Sequence, residues 1–277
     1  MFIILCLSFL LYCYSYQFPK LSSSRIVLLP GYGCCSEDYH DFTNNCKKYN
    51  IPVDIVNIQR YEWLNVLKTI VHPNYWNYEC TPQDMFDWYL QESKKTLLNS
   101  IEKNNGKPVI LCGHSAGGWL GRFLLNNGIL YDSNIKSNTS VNAVVTMGTP
   151  NIPPLIKESD NTRGCLKYVH EQFPGSFLEK ENIQYMTLGS DVKKINNIEK
   201  NISIKDNIIK NSYLSVLGSS EERYIFGDGV IPIECTYLNN AKSIDFHDVY
   251  HFKRKNRKYY WEESILNIWL KELEQLI

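Results

Sequence analysis

One junction constrains this chain more than any other feature. Residues 108–112 are a short apolar run with the character of a buried strand, and 118–127 carry a helical pattern with Gly128 placed to stop it. Between them stands Gly113-His114-Ser115-Ala116-Gly117, a single hydroxyl flanked by glycines. A side chain thrust out of so tight a turn strains its own backbone, and any Cβ on the flanking positions would strike neighbouring strands. Such a strand-turn-helix belongs in an α/β domain with a mostly parallel central sheet flanked by helices, and the remaining rhythm agrees. Residues 25–30, 53–58, 141–148, 183–189 and 243–246 also read as strands, alternating with helical patterns. The spacing predicts a helix over 83–104, with Thr81 as N-cap, Pro82 at N1, Asp84 closing the cap and Gly106 ending it. Trp261, Ile265, Trp269 and Leu273 form one apolar row of a C-terminal helix. No internal repeat is present.

A length of 277 residues with 44% hydrophobic content suits one large α/β domain. Lys+Arg 29 against Asp+Glu 29 leaves no net field, so nucleic acid is excluded as an expected partner. The 19 tyrosines and 6 tryptophans suit pockets for apolar ligands. Residues 2–11 are apolar except for Ser8 and too short for an ordinary spanning helix, so 1–16 read as a signal peptide or an uncleaved signal anchor ahead of a domain over 17–277. The expected location is the secretory pathway, whether endoplasmic reticulum, secreted or membrane-anchored. Loss of Cys6 and Cys13 with the leader would leave seven cysteines; Cys34, Cys35, Cys46 and Cys80 are then candidates for disulfides, and Cys112 for a small buried hydrophobe. No C-x-x-C or H-E-x-x-H spacing occurs, so neither a metal nor another cofactor is expected. Asn138 and Asn201 open formal glycosylation sequons. Two stretches break the rhythm: 151–180, rich in Pro, Gly and aromatics, reads as a cap or lid, and 191–220, rich in Asn and Lys, as a surface insertion. Within the latter, Leu214, Val216 and Leu217 fit either a packed segment or a solvated turn.

The chemistry that the junction suits is nucleophilic attack by Ser115 on a carbonyl carbon. A serine hydroxyl needs a base to take its proton and amide donors to hold the charge that develops on the carbonyl oxygen. Ala116 supplies one N–H, and Tyr32 in Leu29-Pro30-Gly31-Tyr32-Gly33 is the candidate for a second. Acid and base are expected after the nucleophile. Asp228, between Gly227 and Gly229, is the preferred acid and Asp191 its rival. His40, His72, His114 and His170 read as surface or packing residues. His251 is preferred as base over His247, which lies at a strand end. Tyr168, Phe173 and Phe177 are candidates for an acyl pocket, with Trp63 and Trp76 as looser ones. Lys253, Arg254, Lys255, Arg257 and Lys258 make a basic loop suited either to peripheral contact with anionic headgroups or to a solvated face.

With these residues in view, the chain resembles the serine hydrolases of the α/β-hydrolase fold, in their lipase and esterase branch. The resemblance rests on 29–39 (LPGYGCCSEDY), 112–122 (CGHSAGGWLGR), 147–151 (MGTPN), 227–232 (GDGVIP) and 248–251 (DVYH), in an order covering roughly 25–276. It implies Ser115 as nucleophile, Asp228 as acid and His251 as base. It also implies a cap running from Thr162-Arg163-Gly164 to 174–177, and a lipid or acyl ester as substrate. An acyl-protein thioesterase or an acyltransferase would use the same parts, and a catalytically silent binding protein could keep the scaffold. The chain departs from the pattern at Asn151, where relatives more often have His after Gly-Thr-Pro.

Overall fold

The computed structural model describes residues 21, 24–125, 140–197, 202–218 and 223–277. The leader expected over 1–16, the asparagines of both sequons and the end of the expected 118–127 helix lie outside them. Among the described residues there are ten strands: β1 (Ile26–Leu29), β2 (Val53–Ile55), β3 (Val109–His114), β4 (Val141–Met147), β5 (Gln184–Ser190), β6 (Lys193–Asn196), β7 (Tyr224–Gly227), β8 (Lys242–Phe246), β9 (Val249–Tyr250) and β10 (Lys258–Tyr259). Six form one sheet in the order β2-β1-β3-β4-β5-β8, every pair parallel. Both of its faces are covered, which is why the inner strands read as unbroken apolar runs instead of alternating ones.

The period of two sorts those runs between two cores. Ile26, Leu28, Ile110, Cys112, Val145 and Met147 point to the face held by α1 (His40–Lys47) and the C-terminal α7 (Glu263–Leu276). Val27, Leu29, Val109, Leu111 and Val144 point to the opposite face, against α3 (Pro82–Lys103), α4 (Ala116–Leu124) and α5 (Cys165–Gln172). The five-residue α2 (Pro73–Asn77) precedes α3 and follows a long 3₁₀ segment, Arg60–Val71. Helix α3 begins as its cap predicts: the Thr81 side chain accepts from Asp84 N–H, and the Asp84 carboxylate takes Thr81 N–H at 2.8 Å. Helix α7 buries Ile265, Leu266, Trp269, Leu270 and Leu273, each adding about 1.5–3 kcal/mol relative to exposure.

The order of the strands places a crevice. The chain leaves β1 to build β2 on one side and resumes with β3 on the other, so the carboxyl ends of β1 and β3 flank a point where the winding reverses. Ligands of open α/β sheets bind at such points. Pro30 and Ser115 immediately follow those two strand ends.

The described residues of the 191–220 stretch form a packed segment, not a solvated turn. It holds β6 and α6 (Ile204–Leu217); β6 pairs antiparallel with β7, and Ile195, Ile209, Tyr213, Leu217 and Ile225 close a third small core. The seven described cysteines are buried free thiols. Cys34, Cys35, Cys46 and Cys80 therefore do not make the disulfides that the sequence allowed. One reason is position: Cys34 and Cys46 belong to the core on one face of the sheet and Cys80 to the core on the other. Among the described residues no helix is long and apolar enough to cross a membrane, and no His, Cys, Asp and Glu cluster would hold a metal ion.

Candidate active site

Strand β3 ends at His114 and α4 begins at Ala116, so Ser115 alone makes the turn, at φ 52° and ψ −125°. A non-glycine residue there is strained, and the surroundings must hold it. Its N–H donates to the Met147 carbonyl on β4 at 2.9 Å, and its own carbonyl accepts from Gly118 N–H at 3.1 Å. Helix and strand approach so closely that a Cβ on Gly117 would lie 2.2 Å from the Leu29 carbonyl oxygen. That contact is the tertiary reason for the glycine, and it holds Ser115 at the crevice.

Asp228 follows β7, and His251 follows β9. Their side chains meet in the interior, 1% exposed each, with His251 Nδ1 2.6 Å from Asp228 Oδ2. A carboxylate can only accept, so Nδ1 carries the proton and Nε2 the lone pair. The pair is braced further. Asp228 Oδ1 accepts from Val230 N–H and Ile231 N–H at 3.0 and 2.8 Å, its carbonyl accepts from His251 N–H at 3.1 Å, and Oδ2 accepts a second bond from Tyr260 Oη at 2.9 Å. Gly148 explains how the β4 turn fits over them: a Cβ there would stand 2.6 Å from Asp228 Oδ2 and 2.8 Å from His251 Nδ1. His251 Nε2 is buried and has no hydrogen-bond partner among the described residues.

The rival pair forms a separate contact. His247 Nδ1 lies 3.0 Å from Asp191, but the His247 side chain is 82% exposed, so the contact is a surface one. His72 caps α2 by accepting from Asn74 N–H, and His170 contacts the Asn151 carbonyl. Asn151 itself is fully buried, its amide donating to the Thr236 carbonyl at 2.8 Å and its N–H to Cys235. It acts as a structural tie at the start of the 151–180 stretch.

Four residues that sequence reasoning left aside complete the site. Gly31 N–H donates to Tyr39 Oη at 2.9 Å, and Tyr39 Oη lies 2.8 Å from His114 Nδ1. His114 Nε2 lies 3.1 Å from the His251 carbonyl. A carbonyl can only accept, so His114 carries its proton on Nε2 and receives the Tyr39 hydroxyl proton at Nδ1. The loop after β1 is thereby linked through Tyr39 and His114 to the backbone of His251. His114 sits inside the turn motif, and its neighbours there were the available signal. Tyr260 and Tyr213, whose hydroxyl accepts from Gly229 N–H at 2.9 Å, carried none.

Burial, with a smaller contribution from the neighbouring His251, holds the His114 imidazole far below its ordinary value of 6.5. The folded protein keeps it neutral where the unfolded chain would already protonate it. The unfolded state thus binds more protons below about pH 6.5, and this contribution to stability, complete above that value, declines by up to about 1.4 kcal/mol per pH unit as pH falls toward the folded value. Urea unfolding between pH 7 and 5 should show a shallower pH slope for His114→Gln than for the native chain. Burial first, and then the Asp228 charge, push the Tyr260 hydroxyl well above its ordinary range, so it remains a donor. Tyr260→Phe is expected to lower stability by about 1.5–3 kcal/mol, the worth of a hydrogen bond to a charged group, read as a fall in the urea midpoint at unchanged m-value.

Ser115, Ala116 and Tyr32 line one cavity of about 500 Å³. Among the described residues neither the Tyr32 nor the Ala116 N–H has a backbone acceptor, so both donors stand free at the crevice. The cavity walls differ from the expected ones. They come from Val66, Leu67, Tyr75, Met85, Phe86 and Trp119, with the turn at 161–163 closing one side. Tyr168, Phe173 and Phe177 instead pack around Phe123 and Tyr185 in the core beneath α4 and do not line this cavity. Trp63 is buried against Tyr32, with ring centroids 4.8 Å apart, while Trp76 is exposed. In the basic loop Lys253 pairs with Asp41 and Lys258 with Asp248, and Arg254 lies over the Tyr250 ring.

No protein-family model matches the chain, and no curated protein matches it. Its path does match solved structures. A lipase of Bacillus licheniformis, BlEst2 in mature form, aligns over 93% of this chain and 94% of its own with a TM-score of 0.54 and 15% identity. The phospholipase PlaB of Legionella pneumophila, solved in complex with thio-NAD, aligns over 91% of this chain with a TM-score of 0.54 and 10% identity. Of PlaB this chain spans only 58% of the length. At such identities the likeness is one of chain path, and the fold it establishes is the α/β-hydrolase fold.

Proposed function

We propose that the protein is a serine hydrolase that cleaves carboxylic esters, of lipid or acyl type, through an acyl-enzyme on Ser115. One observation carries this reading: a buried imidazole whose Nδ1 is held 2.6 Å from a buried carboxylate and whose ring lies 4.6 Å from that of His114, the residue before the strained serine, while its Nε2 has no hydrogen-bond partner among the described residues. A buried polar atom without a bond is costly in a native protein, and a catalytic role accounts for it. In the proposed reaction Ser115 Oγ attacks the ester carbonyl carbon while His251 Nε2 takes its proton, and Asp228 holds the resulting imidazolium. The Tyr32 and Ala116 amides receive the negative oxygen. Collapse expels the alcohol, which leaves with the proton from His251. Water then repeats the attack on the acyl-enzyme and releases the acid.

The apolar walls supplied by Val66, Leu67, Met85, Phe86 and Trp119 suit an acyl chain. The lipase and phospholipase that share the fold are in keeping with an ester substrate. We place the protein in the secretory pathway on the strength of its apolar leader. A fluorophosphonate probe tests the central claim. The native chain should be labelled on Ser115, and a folded native chain that resists labelling would end the hydrolase reading.

A further inference from the structure

The cavity that holds Ser115 carries one formal charge. Among the described residues lining it, Arg163 alone is ionic. Its guanidinium carbon lies 4.6 Å from the ring centroids of both Tyr75 and Tyr78. Arg25, Arg60 and Arg223 each hold a carboxylate within 3.0 Å, whereas Arg163 forms no ion pair among the described residues. The nearby carboxylates are engaged elsewhere. Asp160 accepts from Thr162 N–H, Thr162 Oγ1 and Gly164 N–H at 2.8, 2.6 and 2.9 Å, and Asp84 caps α3 through Thr81.

The backbone presents this side chain deliberately. Arg163 has φ 55°, in the left-handed region that few residues other than glycine occupy. It is held there from both sides, its N–H donating to the Asp160 carbonyl at 3.1 Å and its carbonyl accepting from Cys80 N–H at 2.9 Å. Tyrosine faces stabilise a guanidinium without consuming its N–H groups, which lie in its plane and form a fork matched to the paired oxygens of a carboxylate or phosphate. An apolar cavity with a nucleophile and one unneutralised fork is complementary to an ester that also bears one anion.

We propose that Arg163 is a substrate-binding residue, and that the preferred substrates are acyl esters carrying an anionic oxoacid group, phosphate or carboxylate, which the guanidinium receives. The proposal rests on the reading of Ser115 as the attacking group. Three octanoyl esters test it: octanoylglycerol, octanoylglycerol 3-phosphate and octanoylglycerate, with released octanoate as the readout. For the native chain kcat/KM should favour an anionic ester over the neutral one by about tenfold or more, as expected for a charge-assisted bond. In Arg163→Gln that ratio should fall close to one, chiefly through KM, while Arg163→Lys should retain part of it. The arm with the larger ratio distinguishes phosphate from carboxylate. A native ratio near one, or a ratio that Arg163→Gln leaves intact, overturns the proposal and makes Arg163 a structural strut on its tyrosines. Calorimetry on Ser115→Ala, with and without Arg163→Gln, separates this from failure of the hydrolase reading. If no ester is turned over, tighter binding of the octanoylglycerol phosphate than of octanoylglycerol, lost with Arg163→Gln, still upholds the arginine site, and equal binding rejects it.

Discussion

Ser115→Ala is expected to lower kcat on a chromogenic ester by about a millionfold and to abolish fluorophosphonate labelling, with circular dichroism unchanged. The size of the loss follows from what remains. The two amide donors and the cavity would still bind the ester, so KM should move little, but water would have to replace a nucleophile already positioned in the crevice. Structural damage should be small. Alanine keeps the Cβ that already occupies the turn at φ 52°, and the backbone bonds of residue 115 to Met147 and Gly118 involve no side-chain atom. A variant that folds and retains more than about a thousandth of native activity would show that another group attacks the substrate.

Asp228→Asn carries the second large effect, about ten-thousandfold in kcat near pH 7. The reasoning is specific to this carboxylate. Its Oδ1 accepts from two backbone N–H groups, Val230 and Ile231, so an asparagine must turn its amide oxygen that way. The NH2 end then faces His251 Nδ1 and donates to it, which drives the imidazole proton to Nε2. An Nε2 already protonated cannot take the proton of Ser115. The same amide end would confront the Tyr260 hydroxyl, now obliged to act as acceptor. Asp191→Asn, which alters only the exposed contact to His247, should leave activity within about twofold. If Asp191→Asn abolished ester hydrolysis and Asp228→Asn spared it, the acid would be the wrong one.

Local signals in the chain were informative wherever the physics is local. The cap of α3 is written in four consecutive residues, Thr81 to Asp84, and the structure starts the helix within one residue of the expected place. The strand ends were less legible: 53–58 reads as one apolar run, but only Val53–Ile55 pairs with β1 before the chain turns toward the 3₁₀ segment. The cavity lining was least legible. Val66, Leu67 and Tyr75 line it from 60–77, ahead of Ser115, where an exposed apolar residue such as Leu67 resembles ordinary surface; the aromatic residues Tyr168, Phe173 and Phe177 of 151–180 gave the stronger local signal but pack in the core.

What the sequence determined by itself was the alternation of strands and helices and the strained turn at Ser115, because both arise from periodicity and steric constraint within a few residues. The tertiary structure alone decided which carboxylate faces which imidazole, which rings line the cavity and how Tyr39 and His114 link the loop after β1 to His251. Those contacts join residues 23 positions apart for Asp228 and His251, 75 for Tyr39 and His114 and 137 for His114 and His251. Partners so distant are selected by the order in which β1, β3, β4 and β5 assemble, and no short-range pattern in the chain encodes that order.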